Sequence, residues 1–327
     1  MKKIIILLLA VSITSIARAQ FDAASNPIIT RSLSTDNIKK VIASTSGGNI
    51  SATGISSGEP KLEVYAKTNG VIMSSSKADI QKLLDENYDL NISVDGGELH
   101  ATAKSKDHLF RSNNKLSISF KIFVPQNVSV NLQTSGGNIN LANLTGDEKF
   151  STSGGNIQLT GLNGKIDGNT SGGNISATNS SGNISLVTSG GSLKLDSLSG
   201  TIKASTSGGN INGKNIGGSL MAHTSGGNVS LQDIACSLDA STSGGNMRVN
   251  MNEVGKYVTL NNSGGNIYLL LPQAKGFTLN LRASKINWDR LDNFSGSKNE
   301  NNLTGTLNGG GIPVTAQTSD KITLAFK

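Results

Sequence analysis

The chain is nearly without cysteine: Cys236 is the only one in 327 residues, so no disulfide can form within it even in an oxidising compartment. Aromatic residues are also scarce, at 8 Phe, 4 Tyr and 1 Trp, and charged residues make up 16%. An ordinary globular domain draws roughly 25% of its residues from Asp, Glu, Lys and Arg. So little charge excludes most disordered chains. Ala, Glu, Lys and Leu do not dominate, which excludes a coiled coil or a long helical protein. What the chain has instead is glycine, 39 residues, together with Ser, Thr and Asn, the residues of turns and stacked strands. This composition predicts an all-β chain of many turns.

The first residues have the form of a secretory signal. Lys2 and Lys3 make a positive start, Ile4 to Val11 an apolar stretch, and Ala17-Arg18-Ala19 a small-residue cleavage site before Gln20. The stretch is too short for a membrane anchor, which needs about 20 apolar residues, and Ser12, Thr14, Ser15 and Arg18 interrupt it. No later segment approaches spanning length, and no Cys follows to accept a lipid. The sequence thus predicts a signal peptide over 1–19 and an exported chain, in the periplasm, at the cell surface or outside the cell. Without Lys2, Lys3 and Arg18 there remain 26 basic and 22 acidic residues, too balanced and dispersed to indicate nucleic acid or an anionic membrane as partner.

The strongest signal is internal repetition. Ser-Gly-Gly begins at Ser135, Ser153, Ser171, Ser189, Ser207, Ser225 and Ser243, always 18 residues apart, and again at Ser263 after 20; a further copy stands at Ser46. One aliphatic column runs Ile139, Ile157, Ile175, Leu193, Ile211, Val229, Met247, Ile267, and a second runs Ile166, Ile184, Ile202, Leu220, Leu238. Around each column apolar residues alternate with period two, which means two short strands per 18 residues. A unit this small cannot bury its own apolar face, so units must stack. The expected fold is a single-stranded parallel β-helix, or solenoid, with 18-residue rungs, right-handed by the usual preference of parallel connections. Seven steps from Ser135 to Ser263 give a rod of about 34 Å.

Polar positions repeat as well. The Gly-Gly pair is expected to supply positive φ at a tight corner, and Gly146, Gly164, Gly182, Gly200 and Gly218 to start the second strand. Cys236 takes this last column and reads as a small packed residue. Asn138, Asn156, Asn174, Asn210, Asn228, Asn246 and Asn266 predict amides hydrogen-bonded along a column, able to take a left-handed corner. Thr134, Thr152, Thr170, Thr188, Thr206, Thr224 and Thr242 face inward by parity. The chain divides into the signal peptide, an extended β region over 20–133 that caps the solenoid, a regular solenoid over 134–271, and C-terminal rungs with a cap over 272–327. One helix is expected over about Lys77 to Glu86, with Ile80, Leu83 and Leu84 on one face and Ser76 as its cap.

The T-S-G-G-N-I repeats, the segment ending Phe123-Val-Pro-Gln-Asn-Val128, and the terminal Leu307-Asn-Gly-Gly-Gly-Ile-Pro-Val314 with Thr318-Ser-Asp-Lys-Ile-Thr323 resemble an exported bacterial adhesin family of unknown function. They are similar, more distantly, to the GIN head domain of autotransporter adhesins. The resemblance spans about residues 28–327, implies a parallel β-helix, and brings no catalytic or binding residue with it. Two departures stand out: a two-residue insertion near Asn250 to Val254, and Glu148 where the second-strand column wants an aliphatic.

A repeated chemistry would show as a uniform outward column. The column Asn140, Gln158, Ser176, Lys194, Asn212, Ser230, Arg248, Tyr268 is not uniform, nor are Lys149, Asp167, Ser185, Lys203, Met221, Asp239 or Ser151, Asn169, Val187, Ser205, His223, Ser241. Calcium-binding rolls need a recurrent Asp after the glycines, where Asn stands here. An ice-binding face would need outward threonines. Asp167 and Asp239 share a column four rungs apart, about 19 Å, beyond the separation of glycosidase carboxylates. Asp196 and Asp233 lie at other phases. His100, His108 and His223 have no metal-ligand spacing, no G-x-S-x-G elbow occurs, and Lys104 to Arg111 reads as a basic surface loop. No catalytic, cofactor-binding or metal-ligating residue is therefore assigned, and no cofactor is expected. The reading is a non-enzymatic cell-envelope solenoid that either binds a surface glycan or protein, as an adhesin does, or serves as a rigid structural spacer. The alternative is a carbohydrate-active enzyme using Trp288, Asp289 and Asp292 in the irregular C-terminal end.

Overall fold

The computed structural model describes residues 26–68, 77–106, 116–273, 275–289 and 291–327. The expected signal peptide over 1–19, the expected helix cap Ser76, and His108 to Arg111 lie outside them. Among the described residues the chain is all-β, with 24 strands and one helix, Lys77–Asn87. The helix forms where the sequence expects it, burying Leu84 against the core with Ile80 and Leu83 packed beside it.

Strands pair in parallel at an offset of 18. Ile139, Ile157, Ile175, Leu193, Ile211, Val229, Met247 and Ile267 lie opposite one another in register. The second column, from Glu148 through Ile166, Ile184, Ile202, Leu220 and Leu238 to Val258, does the same. Every aliphatic in both columns is buried. Each contributes roughly 1.5–3 kcal/mol by leaving water, which is what holds rungs together without a disulfide. The Thr column is buried too, so it faces inward as parity requires.

The two short strands per rung become one in the middle of the stack. Ile175–Thr188, Leu193–Thr206, Ile211–Thr224 and Val229–Thr242 are continuous 14-residue strands. Each bends at a non-glycine residue of positive φ, Asn179, Ser197, Asn215 or Asp233, with φ of 50 to 56°. Pairing between the first two of these strands passes over the bend, from Thr178 opposite Asp196 to Ser180 opposite Leu198. A single left-handed residue turns the chain without ending the ladder.

The glycine corner also differs from expectation. Of the paired glycines in the array, only Gly265 has positive φ. The second glycine of each pair is required by close approach instead: a Cβ on Gly173 would lie 1.8 Å from the Gly155 carbonyl oxygen one rung away. Positive φ belongs to the other glycine column, as at Gly182 with φ 117°, and to the bend residues. The Asn column is not left-handed either.

The stack does not follow chain order at its ends. Lys40–Thr45 and Ile50–Ile55, which flank the Ser46 copy, pair in register with Ser129–Thr134 and Ile139–Ala142, Thr45 opposite Thr134 and Ile50 opposite Ile139. They are a rung of the array. Beyond them lie Glu98–Ser105 and Leu116–Pro125, also parallel. The order of neighbours is thus Glu98–Ser105, Lys40–Thr45, Ser129–Thr134 on one side and Leu116–Pro125, Ile50–Ile55, Ile139–Ala142 on the other, out of chain order. At the other end Ile312–Gln317 and Lys321–Phe326 are inserted between the rung ending at Leu271 and the strands Phe277–Arg282 and Lys285–Trp288. The last segment of the chain is therefore an internal rung.

Both ends close with antiparallel strands: Lys61–Thr68 on Leu116–Pro125 and Tyr88–Asp95 on Glu98–Ser105 at one, Asn302–Leu307 on Phe277–Arg282 at the other. Such covering blunts the edge that a further parallel chain would join. At the outer edge of Tyr88–Asp95, Arg31 Nη1 donates to the Ile92 carbonyl at 3.2 Å.

The insertion lies slightly later than the sequence places it. Cys236 opposes Val254, but Leu238 opposes Val258, so the two extra residues sit among 255–257. Ser237 Oγ accepts the Lys256 N–H at 2.8 Å and holds this bulge.

Candidate functional site

Two polar ladders run along the Ser-Gly-Gly corner and give it its rigidity. The inner one is threonine: Thr170 Oγ1 donates to the Gly155 carbonyl of the neighbouring rung at 2.9 Å and accepts the Gly173 N–H of its own corner at 3.2 Å. Thr152, Thr188, Thr206, Thr224 and Thr242 repeat both bonds. The outer ladder is asparagine, and its bonding differs from amide-to-amide stacking. From Asn138 to Asn246 each Asn Oδ1 accepts the backbone N–H of the corner residue on the next rung, as Asn228 does from Asn246 at 2.7 Å and Asn246 from Asn266 at 2.8 Å. Only Asn228 Nδ2 reaches its neighbour's oxygen, Asn210 Oδ1 at 3.4 Å. The acceptor ends are thus fixed and the amide N–H₂ groups face the surface.

Near its C-terminal end this outer ladder meets two larger side chains. Arg248 and Tyr268 stand opposite each other on neighbouring rungs, one residue outside the first aliphatic column. The Arg248 guanidinium carbon lies 4.8 Å from the centre of the Tyr268 ring, in cation–π range. With Asn228, Asn246, Asn266 and Met247 they line an opening of about 480 Å³. Sequence reasoning met Arg248 and Tyr268 only as breaks in a non-uniform column. Their succession in that column was the signal, and the search for a uniform column passed over it.

Residues weighed for chemistry are scattered. Asp167 and Asp239 share the outward column through Ser185, Lys203 and Met221, four rungs apart. Asp196 aligns with Lys214 and Gln232, whereas Asp233 occupies the left-handed bend. His100 lies 3.5 Å from Glu98, whose carboxyl the Lys40 ammonium holds below the usual range at 2.9 Å. His223 Nδ1 contacts Ser241 Oγ on the next rung. Trp288 packs half-buried against the core, and the Asp289 N–H donates to the Leu324 carbonyl at 3.1 Å. Lys106 is tied to the Asp85 carbonyl at 2.8 Å. Among the described residues no three His, Cys, Asp or Glu side chains come close enough to hold a metal ion. Cys236 is buried, and burial pushes its thiol up to about 12.

Within the stack, between Val130 and Ile166, lies the carboxyl group of Glu148, 1% exposed. Neither carboxyl oxygen has a hydrogen bond of normal geometry. Burial pushes its pKa up to about 7, the nearby Val130 main chain pulls it down in part, and Asp147 raises it further. Two residues on, Phe150 is fully buried and lies opposite Gly168. A Cβ at Gly168 would be 2.0 Å from the Phe150 ring, so that glycine exists to admit the ring.

Comparison with known proteins gives one family match. Residues 219–324, about a third of the chain, match the family model described as Toastrack DUF4097. No curated protein matches. Among solved structures, the chain is similar to a "putative adhesin" from Bacteroides fragilis at 14% identity, with 91% of this chain and 95% of that one covered and a TM-score of 0.38. It is also similar to a "putative cell adhesion protein" from Clostridium sporogenes at 10% identity, covering 91% and 98%, with a TM-score of 0.25. The fold rests on the strand register described above. The matched segment 219–324 contains Arg248, Tyr268 and the C-terminal cap.

Proposed function

We propose that the chain is an exported, non-enzymatic β-solenoid of the cell envelope that binds a surface partner, with the leader over 1–19 removed near Ala19 and the rungs wound right-handed. The observation that carries this reading is the division of labour across each rung. Inward positions are occupied by aliphatics and threonines that repeat, while outward strand positions, apart from the repeating Ser-Gly-Gly-Asn corner, vary from rung to rung. A stiff rod whose only variable part is its surface suits recognition by contact, with many weak contacts adding along its length. No helix among the described residues is long and apolar enough to cross a membrane.

The test is made on cells. Protease or antibody access to the native protein on intact cells should be positive, and a strain lacking the gene should adhere or aggregate at least several-fold less. If the protein is inaccessible from outside, and the strain adheres, aggregates and withstands envelope stress unchanged, the reading is wrong.

A further inference from the structure

We propose that the corner formed by Asn228, Asn246, Asn266, Arg248 and Tyr268 is a binding site for an acidic saccharide. This deepens the surface-binding reading and rests on it. Three features of the corner converge on that chemistry. First, the amide groups are pre-oriented. Asn228 and Asn246 each spend Oδ1 on a backbone N–H at 2.7–2.8 Å, which turns the Nδ2 end of each exposed amide to the surface, one per rung at a spacing of about 4.8 Å; Asn228 uses one Nδ2 hydrogen on Asn210 Oδ1 at 3.4 Å and keeps the other. Donors held this way lose little conformational freedom when a ligand arrives. Hydroxyl and ring oxygens recurring along a sugar chain are suitable acceptors for such a row.

Second, Arg248 is exposed and its guanidinium lies against the Tyr268 ring; it makes no ion pair among the described residues. A guanidinium presents paired donors that fit a carboxylate in a bidentate geometry, and the ring stacked against it limits where the guanidinium can go. Third, Tyr268 is the only aromatic residue in its outward column, and it is half-buried, so it offers a fixed apolar surface to the C–H face of a pyranose. Amide donors, one guanidinium and one ring around an opening of about 480 Å³ are the groups a uronic-acid sugar would use.

A peptide fits less well. Extended peptides are held by unpaired main-chain groups at a strand edge. Here the backbone N–H groups of Asn246 and Asn266 are already donated to the ladder, and Ile267–Leu271 is paired on both sides.

The test uses the full mature chain in calorimetric titrations at low ionic strength with three probes: trigalacturonic acid, neutral galactotriose and a triglutamate peptide. Trigalacturonic acid is expected to bind about tenfold or more tightly than either of the others, since loss of a charge-assisted hydrogen-bonded pair has about that effect. Arg248→Ala should weaken its binding by about tenfold and Tyr268→Ala by about threefold or more. Lys194→Ala, in the same outward column three rungs away, should leave it unchanged. Unchanged thermal unfolding of the surface variants shows that the fold is kept. The proposal is overturned if trigalacturonic acid does not bind, if galactotriose or triglutamate binds equally well, or if Arg248→Ala and Tyr268→Ala bind it like wild type. Those results leave the surface-binding reading standing, because that reading fails only in the cell assays.

Discussion

Replacing Glu148 should make the protein more stable at neutral and alkaline pH, and the size of the gain follows from its position. The side chain occupies a place that Val130 and Ile166 hold on either side, with both oxygens buried and without a normal hydrogen bond. Burial moves its pKa from 4.5 to about 7, so the folded state binds this proton more tightly than the unfolded chain does. Below pH 4.5 the group is neutral in both states and costs nothing through ionisation. As pH rises from there to about 7 the unfolded chain gives up its proton first, and stability is lost across that window. At about 1.4 kcal/mol per pKa unit, the full loss above pH 7 is on the order of 3 kcal/mol.

Glu148→Gln removes the titration while keeping the shape, and Glu148→Ile continues the aliphatic column. The measurement is the urea midpoint of wild type and Glu148→Gln between pH 4 and pH 8. Taking the difference cancels the titrating groups that do not interact with Glu148, while the repulsion from Asp147 remains in it as part of the shift. The two proteins should be similar near pH 4 and diverge towards pH 8, with wild type the weaker. Glu148→Ile should exceed both at pH 8. Parallel curves for wild type and Glu148→Gln would refute the reasoning, since the carboxyl would then have found water or a partner in the folded state.

Further outcomes follow from the glycines and the thiol. Gly173→Ala drives a Cβ to 1.8 Å from a backbone oxygen and should cost upwards of about 3 kcal/mol, whereas Gly172→Ala, whose nearest atom is at 3.8 Å, should stay within about 1 kcal/mol; denaturant midpoints of the pair decide it. Gly168→Ala should destabilise through the Phe150 ring, and Phe150→Leu in the same chain should recover part of the loss, a coupling of about 1 kcal/mol or more that a double-mutant cycle reads; additive effects would contradict the packing. Cys236, buried with its thiol pushed up to about 12, should react with a disulfide reagent at pH 8 only as fast as the protein unfolds, and fast labelling of the native state would contradict that burial.

Much of the array could be read from the chain because its energetics are local to the repeat. Eighteen-residue spacing of Ile157, Ile175 and Leu193 leaves one way to bury all three, by stacking them, and the coordinates place them opposite one another. The inward course of the Thr ladder followed from parity alone. The surface site was far less legible, since Arg248 and Tyr268 have no partner in a motif and matter only through what the neighbouring rung puts beside them.

Sequence by itself determined the period, the strand faces and the identity of the core columns, because side-chain alternation and repeat length are properties of the chain. Tertiary structure alone decided three other things. It set the order of rungs at both ends, where Lys40–Thr45 lies between Glu98–Ser105 and Ser129–Thr134 and where Ile312–Gln317 lies inside Phe277–Arg282. It decided why the corners from Gly155 to Gly245 need glycine, which depends on a carbonyl 18 residues away rather than on φ. It also left Glu148 without a partner, because a column position is buried by the rungs above and below it, whatever its own side chain prefers.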